Sequence, residues 1–506
     1  MNSKSSFKLR GIVAATLAGS LMVGFATNAM ADSTDDILNA LIAKGVLTEE
    51  EGALLMKGRE GEKEAAAKKK DSAVSAKFKD GLSFESGDGK FKAAINGRIH
   101  TDYRIFDYDE GNNTAAAVGA GNSIATSVPN ALADGFEVRR ARLGFKANFK
   151  DYYEGEVVAD LTDGAALLDV GSLNIAWWKQ AQFKMGVFKM PMNLEELTSS
   201  NNIDFMERSF VNGLAPGKEV GAMVHGAPFT GVTYALALSN GNGKTRETSM
   251  LEDGKDVIGR VTANFAEIMG NKDMVLHTGL SYSQGDQFLG TAATAIGFGT
   301  ARTEGRGATF MTGPSVTNLT NSTLDRSRVG LEGAVAYGPF KAQAEWMKQS
   351  SEFTVRDTTS YDLDTSNWYA EALWTITGEN YADAYKGGAF GSLKPKKDFD
   401  PKNFSGGLWE VGVRFSQFDA SDYNVAGLAQ GSTLTTGVTT GARGFAKADA
   451  WTLGLKFLPT ANTRLMLNYV MTDFNDVIGG ATGGLLINNE RVDSEKALNM
   501  RAQWMF

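Results

Sequence analysis

The stretch ALNMRAQWMF, residues 497–506, alternates apolar and polar side chains up to a terminal phenylalanine. Leu498, Met500, Ala502, Trp504 and Phe506 share one parity, and polar side chains occupy most of the positions between them. Because successive side chains of a β-strand point to opposite faces, the stretch predicts a strand with one apolar and one polar face. Such a strand suits either the last strand of a soluble sandwich or the closing strand of a membrane barrel.

The N-terminus indicates the cellular compartment. A basic start precedes an apolar run at residues 11–25, and small residues follow at positions 29–31. This order predicts a secretory signal peptide, residues 1–31, cut before Asp32. An anchoring helix is the weaker alternative, because a spanning helix needs about 20 apolar residues. Loss of three positive charges takes the formal net charge from −8 to −11, so we expect an exported, acidic protein.

The composition limits the chemistry of the exported chain. It has no cysteine, so disulfides, thiolate metal ligands and haem attachment are excluded. The three histidines, His100, His225 and His277, lie far apart and form no metal-binding spacing. We therefore expect no metal and no cofactor, and no nucleic-acid partner. After the signal peptide no apolar run reaches the length of a membrane helix, so crossing a membrane would require a closed barrel.

Residues 32–75 differ from the rest of the chain. Apolar residues at helical spacing end at Lys44-Gly45, and Thr48 with Glu51 forms a capping box for a second, charged and alanine-rich helix. The segment predicts a periplasmic helical spacer. A short coiled coil that helps to hold an oligomer together is the alternative, but its apolar stripe is short.

From residue 91 onward the hydrophobic period is two. The stretch WEVGVRFS, residues 409–416, places Trp409, Val411, Val413 and Phe415 on one face. The same design recurs elsewhere, with aromatic residues at the ends of the apolar row, as in the interfacial girdles of a membrane barrel. In a soluble sandwich the apolar row would instead face a packed core.

The predicted strands and their connections favour the barrel. The strands are 91–106, 136–149, 152–162, 170–178, 181–188, 218–226, 229–239, 256–266, 273–283, 327–337, 339–349, 366–377, 406–417, 447–458, 462–473 and 494–506. Short turns alternate with long loops, as in outer-membrane barrels. One link, residues 378–405, is long where a short turn is expected. The predicted fold is all-β: a 16-stranded antiparallel transmembrane β-barrel, residues 90–506, with a short N-terminal helical segment.

Four segments carry a family resemblance: NGRIHTDYRIFDYD (96–109), FEVRRARLGFKANFKDYYEGEVVADL (136–161), residues 186–221 and residues 377–419. With them, residues 90–506 resemble the phosphate-selective porins O and P of Gram-negative outer membranes. The last segment covers the long link at 378–405. The resemblance implies a sixteen-stranded barrel that assembles as a homotrimer in outer-membrane lipid. The terminal Phe506 is typical of the signal that outer-membrane assembly machinery recognises.

Strand parity identifies the residues that would face the lumen. The cations are Arg98, Arg104, Arg140, Arg142, Lys146, Lys184, Arg260, Arg328, Lys341, Arg414, Lys456, Arg464 and Arg501. The acids are Asp102, Glu154, Glu156, Asp160, Glu332, Glu345, Glu371 and Glu410. These charges either pair off and merely keep the lumen wet, or they bind anions. Arginine suits the second role, because its planar fork matches phosphate or carboxylate oxygens.

The resemblance implies that Arg98, Arg139 and Arg140 line a basic eyelet. Arg139, however, lies on the outer parity, so either the strand starts after it or a bulge resets the alternation. The link 189–217 is the predicted constriction loop, and its candidate residues are Glu195, Glu196, Glu207 and Arg208. Glu196 stands where strongly phosphate-selective members of the family have a lysine, and Tyr153-Glu154 replaces a second lysine. These departures weaken a high-affinity phosphate site.

The sequence thus predicts an outer-membrane porin for passive diffusion of small inorganic anions, with phosphate as one candidate. A general or weakly cation-preferring porin with an acidic constriction loop is the alternative. A barrel enzyme is disfavoured, because no serine or histidine lies in a nucleophile-and-base context. In a further alternative, the N-terminal helices attach the protein to the cell wall, and the pore is incidental to this structural role.

Overall fold

The computed structural model describes residues 42–44, 48–51, 53, 57, 74–78, 81–110, 124–126, 133–162, 167–244, 254–288, 293–295, 299–317, 323–355, 359–479, 483–487 and 490–506. The chain divides into two units, Met1–Ala73 and Val74–Phe506. The predicted signal peptide and most of the predicted spacer lie outside the described residues.

The first unit contains the predicted helix signals. Residues 42 and 43 are helical and Lys44 is in a turn, which agrees with a helix end at Lys44-Gly45. The Glu51 backbone N–H donates to Thr48 Oγ1 at 3.2 Å, and Thr48 N–H donates back to the Glu51 carboxylate at 3.0 Å. These reciprocal bonds confirm the capping box. Among the described residues, no helix is long and apolar enough to cross a membrane.

The second unit is a closed barrel of sixteen antiparallel strands, as predicted. The strands are β1 (Phe91–Glu110), β2 (Gly135–Phe149), β3 (Tyr153–Asp160), β4 (Leu167–Trp178), β5 (Ala181–Lys189), β6 (Lys218–Phe229), β7 (Val232–Ser239), β8 (Asp256–Asn264), β9 (Met274–Phe288), β10 (Thr323–Tyr337), β11 (Phe340–Val355), β12 (Thr359–Thr375), β13 (Leu408–Asp419), β14 (Arg443–Thr460), β15 (Thr463–Val477) and β16 (Glu490–Met505). Each strand pairs with the next, and β16 pairs with β1 to close the barrel.

Burial along the strands decides between the sandwich and the barrel. On β11, Phe340 is 58% exposed, whereas Lys341 and Glu345 are each 4% exposed. The apolar row therefore faces outward and the polar row inward, the reverse of a soluble protein. An exposed apolar wall is stable only against lipid, so the barrel is a membrane-spanning one.

Aromatic pairs mark the two edges of this apolar wall. Trp409 stacks on Phe457 at a ring distance of 4.2 Å, and Phe415 contacts Trp451 at 4.9 Å. The two pairs lie six residues apart along β13, a rise of roughly 20 Å. This separation is close to the height of the outer apolar band of a membrane barrel.

The connections define two ends of the barrel. At the turn end, the links are short, such as 179–180, 230–231 and 461–462, with the predicted exception, which runs from 376 to 407. At the loop end, most links are long. Several strands extend further there than predicted; β12 begins at Thr359 rather than at residue 366, because polar residues occur on both faces of this extension and obscure the alternation.

A hairpin of two short strands, Val74–Phe78 and Leu82–Ser86, precedes the barrel and pairs with the start of β1. It pairs with residues 92–95 of β1, on the same edge of β1 where β16 pairs from Arg98 onward. The chain terminus lies just above it, where Gly97 N–H donates to the Phe506 carbonyl at 2.9 Å and Phe506 N–H donates to the Gly97 carbonyl at 3.1 Å. A Cβ on Gly97 would lie 2.4 Å from the Phe506 ring, so a larger residue there would force the ring out of this position.

Candidate functional site

The predicted constriction loop lies inside the barrel. Residues 190–217 leave β5 and cross the lumen before β6 begins. The Ser200 hydroxyl lies 2.9 Å from Arg98 Nη1 on β1, and the Asp204 carboxylate lies 2.5 Å from Lys341 Nζ on β11. The loop thus contacts opposite sides of the wall and narrows the space between them.

The long link at the turn end also enters the lumen. Tyr381 Oη donates to the Glu410 carboxylate at 2.9 Å, and Arg260 Nη2 donates to the Gly388 carbonyl at 2.9 Å. From the loop end, residues 299–317 add a third inward segment, on which Phe310 packs against Phe418 at a ring distance of 5.3 Å. Together these segments fill the inner face of β8–β15, which we name the packed half of the lumen.

In the packed half, most of the predicted lumen cations pair with acids. The pairs are Arg260–Glu332, Arg328–Asp256, Lys341–Asp204, Arg414–Glu304 and Lys456–Glu410, and Arg326, which was not predicted, also pairs with Asp256. Their N···O distances are 2.5–3.1 Å. The basic side chain of each pair is at most 9% exposed. Lys341 and Arg414 hold inward segments against the wall through Asp204 and Glu304, and the other pairs join strands of the wall to one another. These buried, paired charges are not available to a permeating ion.

The inner face of β1–β6, which we name the open half, borders a cavity of about 660 Å³. Nine basic side chains line it: Arg98, Arg140, Arg142, Lys146, Lys184, Lys189, Arg208, Lys218 and Lys244. Three acids, Glu156, Asp169 and Glu196, line it as well. The excess of positive charge makes this cavity the candidate site for anions.

Two further cavities join the first one end to end. One of about 270 Å³, towards the loop end, shares Arg140 and Arg208 with it. Another of about 500 Å³, towards the turn end, shares Lys146, Glu156 and Lys184 with it and is bordered by the N-terminal hairpin. The three cavities adjoin one another from the loop end to the turn end, and Arg140 and Arg208 lie where the loop-end and central cavities meet.

A β-bulge explains the parity of Arg139. In the register of β1 with β2, His100 pairs with Arg140 and Thr101 pairs with Val138, so Arg139 is the extra residue. The bulge lets two consecutive arginines line the path, and Arg139 Nε donates to the Glu207 carboxylate at 2.9 Å. The second of the two explanations offered by the sequence is the one observed.

Two predicted site residues lie in buried ion networks instead of on the cavity walls. Arg104 contacts Asp102 at 2.5 Å and Glu207 at 2.9 Å. The Glu195 carboxylate accepts hydrogen bonds from Ser209 and Arg414, and burial raises its pKa despite these partners. Both residues therefore anchor the loop.

Glu207 has a similar anchoring position beside the path. Burial opposes its ionisation, but Arg139, Arg501 and Arg140 outweigh burial and hold the pKa of Glu207 well below its usual value. The carboxylate is therefore ionised at neutral pH, and the positive charges of this arginine cluster balance its negative charge.

Sequence reasoning missed three residues that line the central cavity, Asp169, Lys218 and Lys244, and placed a fourth, Lys189, at the start of the constriction loop. Asp169 lies 2.9 Å from Arg142 Nη1, 2.6 Å from Lys218 Nζ and 3.9 Å from Lys244 Nζ. Lys189 has the opposite parity to Lys184 on β5, but it is the last residue of the strand, where the chain turns into the lumen. Strand parity gives no signal for residues at strand ends and in loops.

Comparison with known proteins identifies the barrel. The sequence model of the phosphate-selective porin O and P family matches residues 125–506. The chain belongs to this family. It is 27% identical to Porin O of Pseudomonas aeruginosa over 454 residues, which are 85% of this chain and 92% of that protein. It is 26% identical to an uncharacterized protein of Caulobacter vibrioides over 432 residues, 81% of this chain and 73% of that one.

The fold is similar to an anion-selective porin from Comamonas acidovorans, with a TM-score of 0.48, 12% identity, and coverage of 82% of this chain and 100% of that chain. As a member of the porin O and P family, the protein is an outer-membrane channel for anions and not an enzyme. In such barrels the short turns are periplasmic and the long loops extracellular. The turn end is thus periplasmic, and the hairpin at Val74–Ser86 lies at the periplasmic mouth.

Proposed function

We propose that this porin conducts small inorganic anions, phosphate among them, through the three connected cavities of the open half. The observation that carries the proposal is the charge of the central cavity, with nine basic and three acidic side chains. A cationic, narrow lumen raises the local concentration of anions and excludes cations.

The arrangement favours conduction over retention. Conduction requires binding strong enough to admit an ion and weak enough to release it to the next site. Arg140, then Arg98 and Arg142, which are opposite each other in the register of β1 with β2, and then Lys146 and Lys184 offer successive sites along the cavities. We infer a ladder of shallow sites, in which each step passes the anion to the next cation.

The cation-preferring alternative is less well supported. It requires the acidic loop residues to face the path, but Glu195, Asp204 and Glu207 are each bonded to a basic side chain of the wall. Only Glu196 of the predicted loop acids borders the central cavity.

The zero-current potential of the purified protein in a planar bilayer under a KCl gradient tests the proposal. We expect a potential near the chloride equilibrium value and block of the chloride current by added phosphate at millimolar or higher concentration. A potential of the opposite sign would favour the cation-preferring channel.

We further propose that residues 1–31 are a cleaved signal peptide, that residues 32–75 form a periplasmic spacer, and that the barrel assembles as a homotrimer. The basic start and small-residue cleavage pattern support the first, and the family resemblance supports the trimer. The intact mass of the purified protein should equal that of a chain that begins at Asp32. Native mass spectrometry should give an assembly of three times the protomer mass.

We also propose that outer-membrane assembly machinery recognises the end of β16 through Phe506. Its position beside the first strand, where it exchanges two hydrogen bonds with Gly97, supports a role in barrel closure. Removal of Phe506 should lower the amount of heat-modifiable protein in the outer membrane, while refolding in detergent should be affected less.

A further inference from the structure

Glu196 differs from the other acids of the constriction loop in how it is held. It lies in the short helix Leu194–Leu197 and borders the central cavity. Its carboxylate is 3.6 Å from Lys189 Nζ and 3.4 Å from Arg208 Nη1. Charge-assisted hydrogen bonds are normally 2.7–2.9 Å long, so these are ion pairs without close hydrogen bonding.

The neighbouring loop acids are fixed much more firmly. The Glu195 carboxylate accepts from the Ser209 backbone and hydroxyl at 3.0 and 2.7 Å and from Arg414. The Glu207 carboxylate accepts from Arg139 and Arg501, both at 2.9 Å. Within the described residues, no hydrogen bond reaches the Glu196 carboxylate, so ion pairs alone hold it in place.

The cations near Glu196 keep donors that an anion could use. The Arg208 guanidinium donates from Nε and Nη2 to loop carbonyls, which leaves Nη1 with the Glu196 carboxylate at ion-pair distance. Arg140 Nη1 is buried and has no hydrogen-bond partner among the described residues. Both arginines lie at the junction of the loop-end and central cavities.

We propose that Glu196 is a tethered competitor at this junction, which a permeating oxyanion must displace from Lys189 and Arg208. This inference rests on the proposed anion path and names the residue that sets its affinity. An oxyanion such as phosphate uses several donors at once, whereas chloride responds mainly to charge. The tethered carboxylate therefore weakens the binding of oxyanions more than that of chloride. It keeps the affinity of the path for oxyanions low enough for their release.

The test compares Glu196→Gln with Glu156→Gln. Both variants remove one negative charge from the central cavity, but Glu156 pairs with Lys146 at 3.1 Å, away from the junction. Inorganic phosphate is titrated into the chloride current of each purified variant in a planar bilayer. We expect the phosphate concentration for half-block to fall at least ten-fold for Glu196→Gln and less than three-fold for Glu156→Gln.

A third variant, Glu196→Asp, keeps the charge and shortens the side chain, and we expect half-block between those of the wild type and Glu196→Gln. Folding is checked by heat-modifiable migration, and the isosteric change to glutamine removes no hydrogen bond of the described fold. An unchanged half-block for Glu196→Gln, or an equal fall for Glu156→Gln, overturns the inference.

Failure of the proposed function is distinguishable, because it shows in the wild-type reversal potential. A chloride-selective wild type with an unresponsive Glu196→Gln variant would overturn the tethered competitor and leave the anion channel in place. A cation-selective wild type would overturn both.

Discussion

The two halves of the lumen carry the same residue types and use them differently. In the packed half, Arg414 is 1% exposed and contacts both Glu195 and Glu304. In the open half, the Lys146 side chain is 57% exposed and, among the described residues, pairs only with Glu156. Inward charges are thus structural where acids of the wall and of the inward segments match them, and are available to ions where cations outnumber acids.

Removal of a packed-half arginine should have the largest effect. Arg414→Ala leaves Glu195 and Glu304 buried without their partner, and breaking a buried pair costs about 3–5 kcal/mol. We expect a lower urea midpoint of unfolding and a noisier channel, because the loop loses an anchor. Equal stability of the variant and the wild type would show that the packed half does not depend on this charge.

Removal of an open-half arginine should change selectivity and leave stability nearly unchanged. Arg140 is 6% exposed and its Nη1 has no hydrogen-bond partner within the described parts of the chain, so Arg140→Ala removes a buried, incompletely compensated charge. We expect the chloride-to-potassium permeability ratio to fall several-fold, as measured from reversal potentials. Lys179→Ala, in an exposed periplasmic turn, is the control of equal charge and should leave the ratio unchanged.

Acid should release the loop only at low pH. Burial disfavours the ionised form of Asp204, but the positive charges of Lys341 and Lys456 outweigh burial and lower the pKa of Asp204 from 3.8 to about 2. A carboxylate with a lowered folded-state pKa stabilises the fold above its unfolded pKa and loses this contribution as the pH falls through the folded value.

We therefore expect this anchor to be unchanged from pH 7 to 5 and to weaken between about pH 4 and pH 2. Single-channel conductance across this range measures the effect, with Asp204→Asn as the reference that lacks the charge at every pH. A difference between the two proteins that vanishes already at pH 5 would contradict the assignment.

The smallest effect should come from Lys146→Ala. An exposed ion pair contributes about 0–1 kcal/mol, so we expect no measurable change in the urea midpoint. A slight fall in anion selectivity should accompany it, because Lys146 lies where the central and periplasmic cavities join. A loss of stability as large as that of Arg414→Ala would abolish the distinction between the two halves.

Much of the barrel could be predicted because its rules are local. Alternation of side chains, short turns and aromatic residues at the ends of apolar rows occur within ten to twenty consecutive residues. Each predicted strand overlaps an observed one. The hairpin at residues 74–86 was not predicted, because its five-residue strands, VSAKF and LSFES, are too short to show a clear period.

The pairing of charges could not be predicted in the same way. Arg501 contacts Asp102 across 399 residues, and Arg414 contacts Glu195 across 219. Parity selects the residues that face inward, but it does not tell which of them a folded-in loop will reach. For the same reason Arg104 and Glu195, both predicted site residues, lie in buried networks.

The sequence by itself determined the strands and their inward and outward faces, since these follow from the two-residue period of the backbone. It also determined the closure of the last strand on the first, because a sheet in lipid can leave no edge unpaired. Only the tertiary structure decided where the lumen is packed and where it is open. That division depends on loops that enter the barrel, and electrostatic pairing depends on distances between residues that the sequence leaves far apart. The structure also decided the bulge that lets Arg139 line the lumen beside Arg140.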